Sequence, residues 1–145
     1  MTYNEFKDEC YLIRENAIQK DLIRNSLKAL EKNKFTGMTT VTDPSQNKIQ
    51  RSSSRDDKLL DALDRYDKKR ELLQRRIDNL PQENDVIKDA LLNAGGPEGV
   101  LLSEYFIVGD KMVNISSTVN YSYQHCYRLI RSGLRKIYDQ LSRNN

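Results

Sequence analysis

Residues 98–141 read EGVLLSEYFIVGDKMVNISSTVNYSYQHCYRLIRSGLRKIYDQL, a stretch whose apolar residues recur at helical spacing. Ile115 and Val119 lie four residues apart, which places them one turn apart on a helix. After residue 125, apolar side chains recur at steps of three and four, at Cys126, Leu129, Ile130, Gly133, Leu134, Ile137 and Leu141. The spacing predicts a short helix over residues 111–119 and a longer amphipathic helix that ends near residue 141.

The segment between these two predicted helices, Asn120-Tyr121-Ser122, has residues suited to a sharp corner. Asn tolerates the left-handed backbone conformation that ends a helix. Ser accepts hydrogen bonds from backbone N–H groups at the start of the next helix. Two short helices joined in this way predict a helix-turn-helix.

The longer predicted helix carries a polar and mostly basic face outside its apolar stripe. The candidate DNA-binding residues on and just before it are Ser122, Tyr123, Gln124, His125, Tyr127, Arg128, Arg131, Arg135 and Lys136. Amides, aromatic rings and Arg at the start of a helix suit readout in the major groove of DNA, and later cations suit phosphate contact. The same pattern also fits an ordinary basic surface that contacts nothing.

Composition and charge narrow the class of protein. The chain has 145 residues, of which 37% are hydrophobic and 31% charged, so it suits one domain or two small ones without a large core. Its net charge of +3 is modest, but the excess cations lie from Tyr121 onward. No apolar run approaches the roughly 20 residues that span a bilayer. The opening MTYNEFKDEC also carries acids where a signal peptide carries cations, so we expect a cytoplasmic protein without a membrane partner.

Few residues offer chemistry for catalysis or metal binding. Cys10 and Cys126 each occupy an apolar helical position, which predicts buried, reduced thiols. His125 is the single histidine, and zinc usually needs three or four protein ligands, so we expect no metal and no cofactor. Residues 95–99 (GGPEG) lack the Lys-Ser/Thr of a phosphate-binding loop, and no catalytic triad is evident. The sequence therefore does not indicate an enzyme.

The N-terminal part of the chain predicts two long helices joined by a flexible connector. The first helix runs from about Thr2 or Asn4 to about Lys32. Polar residues 33–54 form the connector, in which short segments at Val41 and Ile49 could form a minor pair of strands. The second runs from about Arg55 or Asp56 to Leu80, with Ser54 as its cap and Asp56 and Asp57 in its first turn. Its narrow apolar stripe consists of Leu59, Leu63, Tyr66, Leu73, Ile77 and Leu80, broken by Arg70.

Such a stripe predicts an antiparallel hairpin with the first helix, or else a symmetric dimer. After Pro81, a short helix from Glu83 or Asn84 to Leu92 precedes a break at residues 94–97 and a further helix that starts at Pro97. The predicted fold is all-α. It comprises a long helical hairpin over residues 1–80, for dimerisation or partner docking, and a helix-turn-helix module over residues 81–145.

The C-terminal motif resembles region 4 of the sigma-70 factors. Its matching positions are Gly109, Met112, Ile115, Ser116, Val119, Asn120, Ser122, Cys126, Arg128, Leu129, Leu134 and Ile137. The wider arrangement is a hydrophilic N-terminal helix, a Ser-rich RSSSRDDKL connector, a long charged helix with RRIDNL and the motif itself. It resembles the small phage and prophage transcription regulators of the RinA/ArpU type.

That resemblance implies a bacteriophage regulator that binds double-stranded DNA in the cytoplasm of a bacterial host and activates late or packaging genes. It also implies a homodimer and contact with bacterial RNA polymerase or a sigma factor. Two alternatives stay open: a phage protein-interaction module that binds RNA polymerase or a host factor, and a small terminase-like subunit that recognises DNA. A ring of many subunits would favour packaging, and a monomer or dimer would favour regulation.

Overall fold

The computed structural model describes the backbone of residues 1–39 and 52–144 and the side chains of residues 1–33 and 57–144. The regular elements are α1 (Tyr3–Thr39), α2 (Ser52–Asp78), α3 (Asp85–Asn93), α4 (Gly96–Leu102), a π-helical segment (Ser103–Val108), α5 (Met112–Val119) and α6 (Tyr123–Asn144). Every regular element over these ranges is helical, so the predicted all-α class is confirmed there. The suggested strand pair at Val41 and Ile49 lies outside the described residues.

The chain divides into two compact units. Unit 1 comprises Met1–Gln19 and Pro81–Asn145, and unit 2 comprises Lys20–Leu80. We predicted a division at Leu80 with all of residues 1–80 on one side, whereas the first nineteen residues belong to unit 1. The physical reason is the apolar face of the first turns of α1, where Phe6 and Cys10 are fully buried in the core of unit 1.

The core of unit 1 gathers one apolar face from each of its helices. Its fully or almost fully buried members are Phe6, Cys10, Ile13, Ile87, Leu91, Leu101, Leu102, Phe106, Met112, Ile115, Cys126, Ile130, Leu134 and Ile137. Helices α4 and α6 approach closely at Gly133, where an added Cβ would lie 2.8 Å from Cδ1 of Leu102. Leu129 and Leu141, predicted on the apolar stripe of α6, are half-buried and pack against the edge of this core.

The short helices begin or end at residues that suit helix termini. Asn84 caps α3, since its side-chain oxygen accepts hydrogen bonds from the backbone N–H groups of Val86 (3.1 Å) and Ile87 (3.3 Å). Pro97 lies in the first turn of α4. The π-helical segment ends at Gly109, which has φ of 78°, a left-handed conformation that glycine adopts without strain.

Both long helices extend into the predicted connector. Helix α1 continues to Thr39 and α2 begins at Ser52, so the connector that we placed at residues 33–54 is helical at both ends. Because α2 begins at Ser52, Asp56 and Asp57 lie beyond its first turn. The prediction that they lie within the first turn is therefore wrong. Lengthening an existing helix costs much less free energy than nucleating one, so helices run past their last apolar position.

Unit 2 contains two partly buried apolar stripes. The predicted stripe of α2, from Leu59 to Leu80, is half-buried, and Ile23 of α1 is buried. Leu22, Leu60 and Leu72 are more than half exposed. Pairing of α1 with α2 as an antiparallel hairpin remains a prediction.

Candidate nucleic-acid interface

The turn between α5 and α6 has the conformation that its residues predict. Asn120 adopts the left-handed conformation (φ 62°, ψ 35°), and its N–H donates to the carbonyl of Ser116 at 2.9 Å. The hydroxyl of Ser116 donates to the carbonyl of Tyr121. Ser122 Oγ accepts from the N–H of His125 at 3.2 Å, which caps α6. The first turn of α6 is therefore held at a defined angle to α5.

Helix α6 has a buried side and an exposed side. Cys126, Ile130, Gly133, Leu134 and Ile137 are buried. The predicted site residues lie outside this stripe: Ser122, Tyr123, Gln124, Tyr127, Arg128, Arg131, Arg135 and Lys136 are exposed, and His125 is half-buried. The amphipathic character predicted for this helix is confirmed, and its polar residues are accessible to a ligand.

Four of these residues share one part of the exposed surface. Gln124, Tyr127, Arg128 and Arg131 lie within about two turns of one another on adjoining rows of the helix. Within the described ranges, no ion pair joins Arg128 or Arg131 to an acid. Arg131 makes a single long hydrogen bond, from Nε to the carbonyl of Tyr127 at 3.4 Å. Both guanidinium groups are therefore available to bind an anion.

Arg135 and Lys136 are instead engaged in contacts within unit 1. Arg135 Nε lies 3.7 Å from Oδ1 of Asp139, and its guanidinium lies 4.8 Å from the ring centroid of Tyr3. Lys136 Nζ lies 3.0 Å from a carboxylate oxygen of Glu98, which joins α6 to α4. These two cations contribute positive potential, but they are less available than Arg128 and Arg131.

His125 lies on the α4 side of α6, away from the group around Arg128. Helical spacing of about 100° per residue brings His125, Ser132 and Lys136 onto one flank, and Ser132 and Lys136 both bind Glu98 there. The His125 ring meets the edge of Tyr121 with centroids 4.7 Å apart. In the described part of the chain, no three His, Cys, Asp or Glu side chains come together as metal ligands.

A depression of about 550 Å³ adjoins the group of four residues on α6. Gln124, Tyr127, Arg128 and Arg131 form one wall, and Lys7 and Tyr11 of α1 form the other. Sequence reasoning missed Lys7 and Tyr11, which lie more than 110 residues away in the chain. The available signal was their i,i+4 spacing beside the buried stripe of α1, and this spacing does not say which helix packs opposite.

Aromatic contacts hold both walls of the depression in place. The ring of Tyr105, in the π-helical segment, contacts Tyr11 and Tyr127 edge-on, each with centroids 6.4 Å apart. Tyr11 also contacts the buried ring of Phe106 at 5.3 Å. Burial raises the pKa of Tyr105, an effect that the nearby Arg14 guanidinium opposes. These edge-to-face contacts restrict the side chains and so reduce the entropy lost when a ligand binds.

Comparison with protein-family models, with curated proteins and with solved structures found no match for this chain. Over the residues that the structure describes, no helix has the length and apolar character needed to cross a membrane.

Proposed function

We propose that this protein is a sequence-specific regulator of transcription that places α6 in the major groove of double-stranded DNA. The observation that carries the proposal is the exposed group Gln124, Tyr127, Arg128 and Arg131 beside a capped turn, with no acid paired to either Arg in the described structure. From Tyr123 to Arg131 the helix rises about 12 Å, which is similar to the width of the major groove, about 12 Å.

The chemistry of these side chains assigns them different roles. Gln124 has the donor and the acceptor that pair with an adenine edge, and the Arg128 guanidinium can donate two hydrogen bonds to a guanine edge. Arg131 and Tyr127 suit phosphate contacts that set the register on the duplex. Ser122 and Tyr123 lie at the exposed N-terminal end of the helix, and Arg135 and Lys136 strengthen the positive potential behind it.

The resemblance to RinA/ArpU-type regulators supports a more specific proposal. The protein would act without enzymatic activity in the cytoplasm of a bacterial host, activating late or packaging genes of a phage or prophage, with RNA polymerase or a sigma factor as a further partner. The resemblance also implies a homodimer, for which the narrow apolar stripe of α2 in unit 2 is the candidate surface. A dimer would bind two half-sites and combine their affinities.

Binding to DNA duplexes selected from a random pool tests the proposal. The affinity of wild type, Arg128→Ala and Arg131→Ala would be measured by salt titration against an unrelated competitor duplex. We expect a loss of about 1–3 kcal/mol for a side chain that contacts a base, with relaxed specificity at that position. Far-UV circular dichroism would show that the variants keep their helical content.

Arg143→Ala provides the matched control. Arg143 is exposed on the same helix and about 18 Å further along it than Arg131, so its loss changes net charge equally without touching the proposed interface. Equal losses in all three variants would mean that binding depends on charge alone. No enrichment of any sequence from the pool would refute the proposal and direct attention to a protein partner.

A further inference from the structure

The depression between α1 and α6 has the composition of an anion site. Its lining consists of Lys7, Tyr11, Gln124, Tyr127, Arg128, Ile130, Arg131 and Leu134. Three of these residues are cations and none is an acid, and within the described ranges no ion pair neutralises the three cations. Three positive charges that converge on one depression create a local potential that attracts a negatively charged group.

The neutral donors in the depression suit the oxygens of a phosphate. The hydroxyls of Tyr11 and Tyr127 and the amide of Gln124 can donate hydrogen bonds, and Arg131 can donate two in parallel to a phosphate oxygen pair. Lys7 is half-buried, and its Nζ lies 5.3 Å from the ring centroid of Tyr3. This contact orients the ammonium but supplies no counter-charge.

The accessibility of the walls favours a phosphate that belongs to a polymer. Tyr11, Gln124, Tyr127, Arg128 and Arg131 are all exposed, so the depression is open along the same side of α6 that presents its polar residues. A site for a small molecule is usually a concave pocket that buries most of the ligand's surface, whereas this depression is open. Phosphates of a duplex flank the groove in which a recognition helix lies, which is where this depression would meet them.

We propose that Lys7, Tyr11 and Arg131 hold a backbone phosphate of double-stranded DNA, so that the first turns of α1 form part of the nucleic-acid interface. This inference rests on the proposed function. It assigns to α1 a role that does not depend on sequence readout: Lys7 sets the position of α6 on the duplex, while Gln124 and Arg128 reach the base edges. The phosphate site would contribute equally to binding on every sequence.

The test uses the full-length protein and the variants Lys7→Gln and Tyr11→Phe. Each would be titrated with salt on a selected duplex and on an unrelated duplex. Loss of one phosphate contact should reduce the slope of log K against log salt by about one. The affinity deficit of Lys7→Gln should therefore be about fourfold larger at 50 mM than at 200 mM salt, and similar on both duplexes. Tyr11→Phe keeps the ring contacts and should show a smaller deficit, again independent of sequence.

Lys28→Gln is the matched control, since Lys28 is an exposed lysine on the same helix in unit 2. Its salt slope should equal that of wild type. A Lys7→Gln protein with an unchanged slope would overturn the phosphate assignment while the proposed function stood. A wild type that binds no duplex would refute the proposed function, and the assignment with it.

Competition with inorganic phosphate and with a deoxynucleoside monophosphate distinguishes the two sources of a phosphate group. We expect neither to displace the duplex beyond the effect of an equal ionic strength of chloride. The proposal would be overturned by two results together. Either small anion would bind saturably to wild type but not to Lys7→Gln, and Lys7→Gln would bind the duplex as wild type does, which would identify a site for a free anion.

Discussion

Replacing Asn16 with Asp should destabilise unit 1 strongly at neutral pH and much less in acid. Asn16 is 2% exposed. Its Nδ2 donates to the carbonyl of Pro81 at 2.8 Å and to Oε1 of Glu83 at 3.3 Å. These bonds tie α1 to the segment where the chain re-enters unit 1 after Leu80. The carboxylate of the Asp variant would face two oxygen acceptors without a proton to donate.

The neutral variant Asn16→Leu gives the reference cost. It removes one hydrogen bond to a neutral acceptor, worth about 0.5–1.5 kcal/mol, and one to a carboxylate, worth about 1.5–3 kcal/mol. The free energy of unfolding should therefore fall by about 2–4.5 kcal/mol, with little dependence on pH. The Asp variant should lose more at neutral pH, because burial and the Glu83 carboxylate both disfavour a second negative charge.

The pH dependence has a definite sign. The introduced carboxyl would have a higher pKa in the folded protein than its unfolded value of about 3.9. The folded variant is therefore destabilised least below about pH 3.9, and it loses stability as the pH rises above that value. Each unit of pKa elevation corresponds to about 1.4 kcal/mol. Relative to wild type, Asn16→Asp should be closer to Asn16→Leu at pH 4.5 than at pH 7.5.

Urea unfolding followed by far-UV circular dichroism at both pH values measures these differences. Asn25→Asp and Asn25→Leu are the controls, since Asn25 is exposed on the same helix and its substitutions should cost within about 0.5 kcal/mol. If Asn16→Asp were no less stable than Asn16→Leu at pH 7.5, the side chain would be hydrated in solution and the burial argument would fail.

Three further predictions concern the packing at Gly133, the contacts of Arg14 and the thiol of Cys10. Gly133→Val should lower the free energy of unfolding by about 1–3 kcal/mol through overpacking against Leu102, whereas Ser142→Val at an exposed position of the same helix should cost much less. The Arg14 guanidinium donates to the carbonyls of Tyr105 and Asp110 and lies 3.8 Å from the centroid of the Tyr105 ring. Because a lysine cannot reproduce these contacts, Arg14→Lys should lower the free energy of unfolding in urea, and by more than Arg24→Lys at an exposed position. Burial, with a smaller effect of Glu9, raises the pKa of Cys10 to about 12, so a disulfide reagent should label it at pH 8 in urea and very slowly in the folded protein. In the unfolded chain a thiol ionises above about pH 8.5. The stability linked to the raised pKa of Cys10 is therefore fully present below about pH 8.5 and is lost as the pH rises toward 12. Cys10→Ala should reduce this loss of stability in alkali.

Features set by neighbouring residues were predictable. The left-handed Asn120, the Ser122 cap and Pro97 at the start of α4 each depend on a few consecutive residues. Their conformations follow from hydrogen bonds and backbone sterics within one turn of chain. The buried stripe of α6 was predictable for the same kind of reason, since its period is a property of the helix itself.

Features set by distant residues were not predictable in this way. The spacing that predicts α1 contains no indication that its first turns join the core of unit 1 beside α6. The π-helical segment Ser103–Val108 was likewise unexpected, because its apolar residues fit the spacing of more than one kind of helix. Half-burial of Leu129, which lies on the predicted apolar stripe, depends on how far the neighbouring helices cover the edge of that stripe.

The same division applies to the proposed interface. It follows from local spacing alone that a capped helix comes after a sharp turn and carries Gln124, Arg128 and Arg131 outside its apolar stripe, because that spacing decides which side chains share a face. Other relations require the folded chain: Lys136 pairs with Glu98, Arg135 lies over the Tyr3 ring, and Lys7 and Tyr11 join the surface around Arg131. Those relations arise when separate helices bury their apolar faces against one another, and side chains that are far apart in the chain become neighbours in the folded core.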